Sequence, residues 1–343
     1  MLSVIAETTR GGITESVHHG VIVAVDADGE VIASAGDPEQ VVFFRSSAKP
    51  FQAIPVIESG AADAFGFTPA ELALCCASHE GSPAHQAQVR AMLAKLGLGP
   101  DALQCGCPLT GDEDEAARIT LGLVERTPLQ CDCSGKHAGM LATIVHEGLS
   151  QDDYLDPQHP LQQRILGLMS ETMRVPVDEI ILGTDGCSLP TFAATVRAFA
   201  TAYAALAAPD QVPAGVGREH AAALNRLRDA MTAYPVNVSG EGNLVATIME
   251  VSDGRVAAKT GAEGLLCLAV PERELGIAIR IADGTYRTHA VAAVSALEQL
   301  GILDDGMRQE ILARHNPELR NHNGRLVGDI RAVFALNCPV AVA

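Results

Sequence analysis

Apolar and polar positions divide this chain into strand-like ends and a helix-like middle. Gly20-Val21-Ile22-Val23-Ala24-Val25 is a continuous apolar run that stops at Asp26-Ala27-Asp28-Gly29 and resumes over 31–33, which predicts an antiparallel hairpin. From residue 46 the pattern changes. Thr68-Pro69-Ala70-Glu71 reads as a capping box with proline at the first helical position, and its helix is expected to end near Ala77. Ser82-Pro83 opens the next helix, which closes at Gly97, and the acidic stretch 100–134 reads as irregular. Helices are expected at 136–147, 160–173, 190–206 and 217–232, with a short buried strand at 179–183. Strands return at 244–251, 256–259, 265–270 and 276–281, before a last amphipathic helix at 289–300. Strands, then helices, then strands without βαβ alternation predict a mostly antiparallel sheet. The expected fold is therefore α/β of the α+β kind, one two-lobed domain. Its sheet lobe takes 1–45 and 236–343, and its inserted helical lobe takes 46–235.

Composition changes the picture in what it excludes. The 343 residues carry a net charge of −18 without basic clusters, so nucleic acid and anionic membrane surfaces are poor partners. Aromatics make up 3% and tryptophan is absent, which argues against stacking platforms for bases or sugars. The apolar run ending at Ala208 is interrupted by Arg197 and reads as a core helix, not a membrane span. The N-terminus lacks a secretory signal pattern, and nine cysteines, an odd number, fit free thiols. A cytoplasmic protein is expected.

Candidate chemistry begins at Arg45-Ser46-Ser47-Ala48-Lys49-Pro50. On a helix, Ser46 and Lys49 share a face, and a neutral lysine amine can take a proton from a serine hydroxyl. Ser47 points elsewhere and is the weaker nucleophile. Alone, Ser-x-x-Lys is most often structural, because serine caps helices and lysine is common. Lys259-Thr260-Gly261 later in the chain strengthens it, since Ser-x-x-Lys followed by Lys-Thr-Gly is the order of the penicillin-binding and serine β-lactamase pattern. Ser78, in Ser78-His79-Glu80-Gly81 after a helix, is a candidate for the second hydroxyl of a proton relay, although an isolated surface serine would look the same. Two lysines in one cleft repel, so at least one is expected to have a depressed pKa. Arg45 suits a substrate carboxylate and equally suits a structural ion pair. Two other readings fail on spacing. Gly135-Lys136 is not a phosphate loop, because Gln130 stands where that loop needs glycine. Cys105-Gly106-Cys107 and Cys131-Asp132-Cys133 are Cys-x-Cys pairs, which a four-cysteine zinc ribbon does not use.

Five segments together, 45–50, 75–81, Cys133-Ser134-Gly135-Lys136-His137, Gly183-Thr184-Asp185-Gly186-Cys187 and Lys259-Thr260-Gly261-Ala262-Glu263-Gly264, resemble the asparaginase II family, the rhizobial-type bacterial L-asparaginases. The resemblance covers nearly the whole chain. It implies a fold like that of serine β-lactamases and glutaminases, a homodimer, and hydrolysis of L-asparagine to L-aspartate and ammonia. It further implies two Ser-Lys pairs, Ser46 with Lys49 and Ser78 with Lys259, and a zinc ion on Cys133, Lys136 and Cys187 that places the substrate. Arg45, His137, Asp185 and Glu263 are the residues expected to hold that substrate, with Asp185 placed to help hold either the zinc ion or the substrate's ammonium. Lys-Thr-Gly is closer to the penicillin-binding form than the family leads one to expect, which keeps a glutaminase or a β-lactam-recognising serine hydrolase as alternatives. A thiol-rich metal-binding protein without catalysis is the remaining one.

Overall fold

A computed structural model describes residues 1–338, in two compact units. One takes Met1–Ser47, Ala194–Val212 and the chain from Thr247 onward; the other takes Ala48–Ala193 and Pro213–Ala246.

The first unit is built on an eight-stranded sheet. Its strands run in the order Glu318–Arg320, Leu326–Ala332, Ser3–Arg10, Ile13–Val25, Leu275–Ile281, Leu265–Val270 and Ala257–Gly261, with Val31–Ala35 paired to Ile13–Val25. Every pairing is antiparallel, as the absence of βαβ alternation predicts. The hairpin forms where expected because Asp26 Oδ1 accepts from the Asp28 and Glu30 amides at 3.0 and 2.9 Å, a turn that aspartate closes locally. Residues 20–25 are buried on both faces, which is why they are apolar without alternation.

The helix Val196–Ala207 packs on Ile13–Val25, Leu265–Val270 and Leu275–Ile281. Thr195 caps it, accepting from the Ala198 amide at 3.1 Å. Phe199 stacks on Phe44 with centroids 4.1 Å apart, and the Tyr203 hydroxyl donates to the Ser47 carbonyl at 3.0 Å. This segment therefore belongs to the sheet unit, whereas the sequence reading gave it to the helical lobe. Small alanine side chains let it approach the strands closely.

Three further elements differ from expectation. Pro190–Thr195 is a strand that precedes the helix, not its first turn. Leu244–Val251 is a helix in place of a strand, and its Val245, Ala246, Ile248 and Met249 are all buried, so periodicity gave no helical signature. The strand at Ile181–Thr184 is not buried: it is an edge strand with Ile181 57% exposed.

The second unit collects the helices Pro69–Cys75, Pro83–Lys95, Ser134–Glu147, Pro160–Met173 and Ala221–Ala233. The Thr68 capping box is present: the Thr68 amide donates to Glu71 Oε2 at 2.7 Å, and the Glu71 amide donates back to Thr68 Oγ1 at 3.3 Å. His220 lies between two carboxylates, with Nδ1 at 2.5 Å from Glu58 and Nε2 at 2.8 Å from Glu171. Its bond to Glu58 raises its pKa to about 9, against burial and with help from Glu171. A folded-state pKa above the unfolded one gives stability that is complete below about pH 6.5 and lost as pH rises through about 9. His220→Gln is expected to lower the urea midpoint at pH 6, by the equivalent of about 1–2 kcal/mol, and to change it little at pH 10.

No helix among the described residues is long and apolar enough to cross a membrane.

Candidate functional site

The 3-10 turn Arg45–Ala48 passes into the short helix Lys49–Gln52, which belongs to the helical unit and whose first turn suits Pro50 because its missing amide proton has no partner to lose there. Lys49 is fully buried. Its ammonium donates to the Ala77 carbonyl at 2.6 Å and to Ser78 Oγ at 2.8 Å, and lies 3.4 Å from Asp132 Oδ2. Burial pulls the Lys49 pKa down, but the Cys133 thiolate and the Asp132 carboxylate outweigh it, and the net shift is upward. Lys49 is thus a loaded proton donor in this state.

Ser78 follows the C-terminal turn of Pro69–Cys75, with its amide on the Val238 carbonyl at 2.9 Å. The turn beyond it is fixed by His79. Its Nδ1 accepts from the Gly81 amide at 3.0 Å, so Nε2 carries the hydrogen and donates to Ser134 Oγ at 2.9 Å; Ser134 in turn donates to the Leu129 carbonyl at 3.1 Å. Burial, then the neighbouring His85, holds His79 down to about 3, so the ring is neutral. The Ser78 hydroxyl accepts from the Lys49 amine.

A thiol group adjoins this couple. Cys133 caps the helix Ser134–Glu147, and Cys187 sits in the loop between Ile181–Thr184 and Pro190–Thr195. Lys136 donates to Cys187 Sγ at 3.2 Å. Contact with the Cys133 thiol, helped by Lys136 and opposed by burial, brings Cys187 down to about 5. Cys133 falls to about 7 through its contact with Cys131. Burial lowers Lys136, yet Cys187, Cys133 and Asp185 together hold its pKa well above the ordinary value. Two buried, readily ionised thiols beside an amine are a donor set that fits zinc, provided Lys136 sheds its proton on binding. Asp185 is half-buried and accepts from the Gly186 amide at 2.9 Å. His137 is fully buried; its Nδ1 bonds the Tyr154 hydroxyl at 2.7 Å, while its Nε2 has no protein partner. Burial drives His137 down to about 3, leaving a neutral ring with one polar edge unspent.

The sheet unit carries the other candidates. Arg45 has φ 49, so the turn bearing Ser46 begins on a left-handed residue. Ser46 is half-buried, whereas Ser47 is buried and donates to the Lys259 carbonyl at 3.2 Å. Lys259, on the strand Ala257–Gly261, is fully buried with its amine donating to the Thr260 carbonyl at 2.9 Å. Glu263 is exposed, has φ 64 in the turn to Leu265–Val270, and its carbonyl accepts from Arg280. Sequence reasoning missed Asp132, His79 and Tyr154. Asp132 left a trace, between two cysteines already singled out, and His79 one beside Ser78.

A model of the family described as L-asparaginase II matches residues 6–332. No curated protein matches the sequence. Among solved structures, Mglu in its native form in 4.3 M NaCl is similar at 15% identity over 83% of this chain, with TM-score 0.46; this chain spans 62% of that one. A β-lactamase from Mycobacterium bovis is similar at 15% identity over 86% of this chain and 94% of that one, with TM-score 0.39.

Proposed function

The chain belongs to the L-asparaginase II family, and from that membership we propose that it hydrolyses L-asparagine to L-aspartate and ammonia. The observation that carries the reading is the buried Lys49 ammonium 2.8 Å from Ser78 Oγ, an amine and a hydroxyl in proton-transfer contact. The reaction needs a nucleophile for the side-chain amide carbon, a proton for departing ammonia and a base for the nucleophile's hydrogen.

We assign the nucleophile to Ser46, attack by which gives a β-aspartyl ester that water then cleaves. Lys49, protonated at rest, passes its proton through Ser78 to the leaving nitrogen, and Lys259 is the lysine that receives the Ser46 proton. Arg45 suits the substrate α-carboxylate, Asp185 and Glu263 suit its ammonium, and the unspent Nε2 of His137 suits a polar substrate edge. Zinc on Cys133, Lys136 and Cys187 would supply a fixed positive charge for placing the substrate. A homodimer in a reducing cytoplasm, where all nine thiols stay free, completes the proposal.

Ammonia release by the purified protein from L-asparagine, set beside release from L-glutamine and turnover of nitrocefin, is the test. Asparagine is expected to be the best substrate. Turnover of nitrocefin alone would overturn the assignment in favour of a β-lactam hydrolase, and no turnover of any would favour the metal-binding alternative.

A further inference from the structure

The thiols of the helical unit do not end with the family-implied set. The 3-10 turn Pro128–Gln130 delivers Cys131 in an extended conformation, and the chain then winds into Ser134–Glu147 through Asp132 and Cys133. The Ser134 amide closes this bend on the Cys131 carbonyl at 2.9 Å. As a result, Cys131 Sγ, an Asp132 carboxylate oxygen and Cys133 Sγ all lie within 4.8 Å of one another. Cys131 Sγ is 3.8 Å from Asp132 Oδ1, and Cys133 Sγ is 3.6 Å from Oδ2.

We propose that Cys131, Asp132 and Cys133 form a second metal site, distinct from the set Cys133, Lys136 and Cys187 and joined to it by the shared Cys133 thiolate. Tetrahedral zinc–thiolate bonds of about 2.3 Å put ligand atoms roughly 3.8 Å apart, so the three donors need only a small closure to take an ion. Two thiolates with one carboxylate select a borderline d10 divalent ion such as zinc or cadmium, where an all-thiolate set would also suit copper(I). Cys131 and Cys133 are buried, while the Asp132 side chain is 49% exposed and gives the ion a way in.

Charge and coordination number fit as well. A divalent ion with these three ligands is a monoanion, and the Lys49 ammonium stands 3.4 Å from Asp132 to face it. Cys105 stands next in line, its carbonyl oxygen accepting from Cys131 Sγ at 3.6 Å, and the half-exposed Asp132 side leaves the fourth position to water. Three protein ligands with water in the fourth position is an arrangement that zinc accepts. The site therefore works beside the proposed catalytic couple as well as beside the first ion.

The experiment is zinc stoichiometry on the full chain, kept reduced, stripped with a chelator, dialysed against zinc and counted by mass spectrometry. The thiolate charge-transfer absorbance of the cadmium form reports how many thiols bind. Two ions per chain are expected, falling to one in Cys131→Ser and in Asp132→Asn, with a weaker cadmium–thiolate band in the first of these. Asp132→Asn alters a half-exposed side chain, so the test survives a Cys131→Ser that does not fold. One ion lost in Lys136→Met and kept in both other variants would overturn the second site. One ion kept in Lys136→Met but lost in Cys131→Ser would sustain it and remove the first. A Cys131 found in a disulfide in the reduced protein would also overturn it.

Discussion

Lys49→Met is expected to lower kcat for ammonia release from L-asparagine by about 10²–10⁴-fold while leaving KM within a few-fold, because positioned proton transfer contributes on that scale. Methionine has nearly the length of lysine and is apolar, so it can occupy the fully buried slot without a cavity. What it removes is specific: the bond to Ser78 Oγ at 2.8 Å, the bond to the Ala77 carbonyl at 2.6 Å and the charge facing Asp132. Losing the partner of a buried charge is costly when the charge left behind is dry, but Asp132 is 49% exposed and water takes over its solvation. The variant should therefore fold, with a circular dichroism spectrum and melting temperature near those of the parent.

Ser78→Ala is expected to lose activity on the same scale. The double variant should be no worse than the more damaged single, since groups that act as one unit lose their effect once. Activity of Lys49→Met within ten-fold of the parent would remove Lys49 from the proton path. A loss confined to KM would recast Lys49 as a substrate-positioning residue.

The direction of the Lys49 shift shows why the site was only partly legible from sequence. Residue types and chain order pointed to Ser46, Lys49, Ser78 and Lys259, and helix spacing made Lys49 a base for its own serine. Which state Lys49 rests in depends on Asp132 and Cys133, brought beside it by the bend into Ser134–Glu147, and no local pattern encodes that approach. The same holds for His79, whose value lies in two bonds, to the Gly81 amide and to Ser134.

Legibility of the fold follows the strength of each local signal. The Asp26 turn and the Thr68 capping box are satisfied within five residues, and both appear as read. The helix Asp305–Arg314 and the strands Glu318–Arg320 and Leu326–Ala332 escaped because few of their side chains are buried, so they carry little periodicity, and Ser3–Arg10 escaped because two of its four buried residues, Thr8 and Thr9, are polar. Glu113–Thr120 escaped for a related reason. Its Asp112 cap and acidic first turn are a sound helix start, yet only Glu115 is buried, and an acidic run without an apolar stripe looks like a loop.

Gly276→Ala is expected to be among the most damaging single methyl additions in the sheet unit, costing about 3 kcal/mol or more as overpacking against rigid backbone. A Cβ there would lie 1.9 Å from the Ala200 carbonyl oxygen and 2.1 Å from the Ala204 nitrogen, both main-chain atoms of Val196–Ala207. Neither can rotate aside, so the helix must lift from Leu275–Ile281 as a body. Lifting it loosens the Phe44–Phe199 stack and the Tyr203 bond to the Ser47 carbonyl, next to the proposed nucleophile. Activity should therefore fall together with stability. Gly167→Ala, inside the helix Pro160–Met173 with nothing within 4 Å of the added carbon, is the control, expected to stabilise by about 0.5–1 kcal/mol through helix propensity. Urea midpoints of the two variants should move in opposite directions; a Gly276→Ala midpoint level with the parent would mean that helix and sheet are not packed this closely.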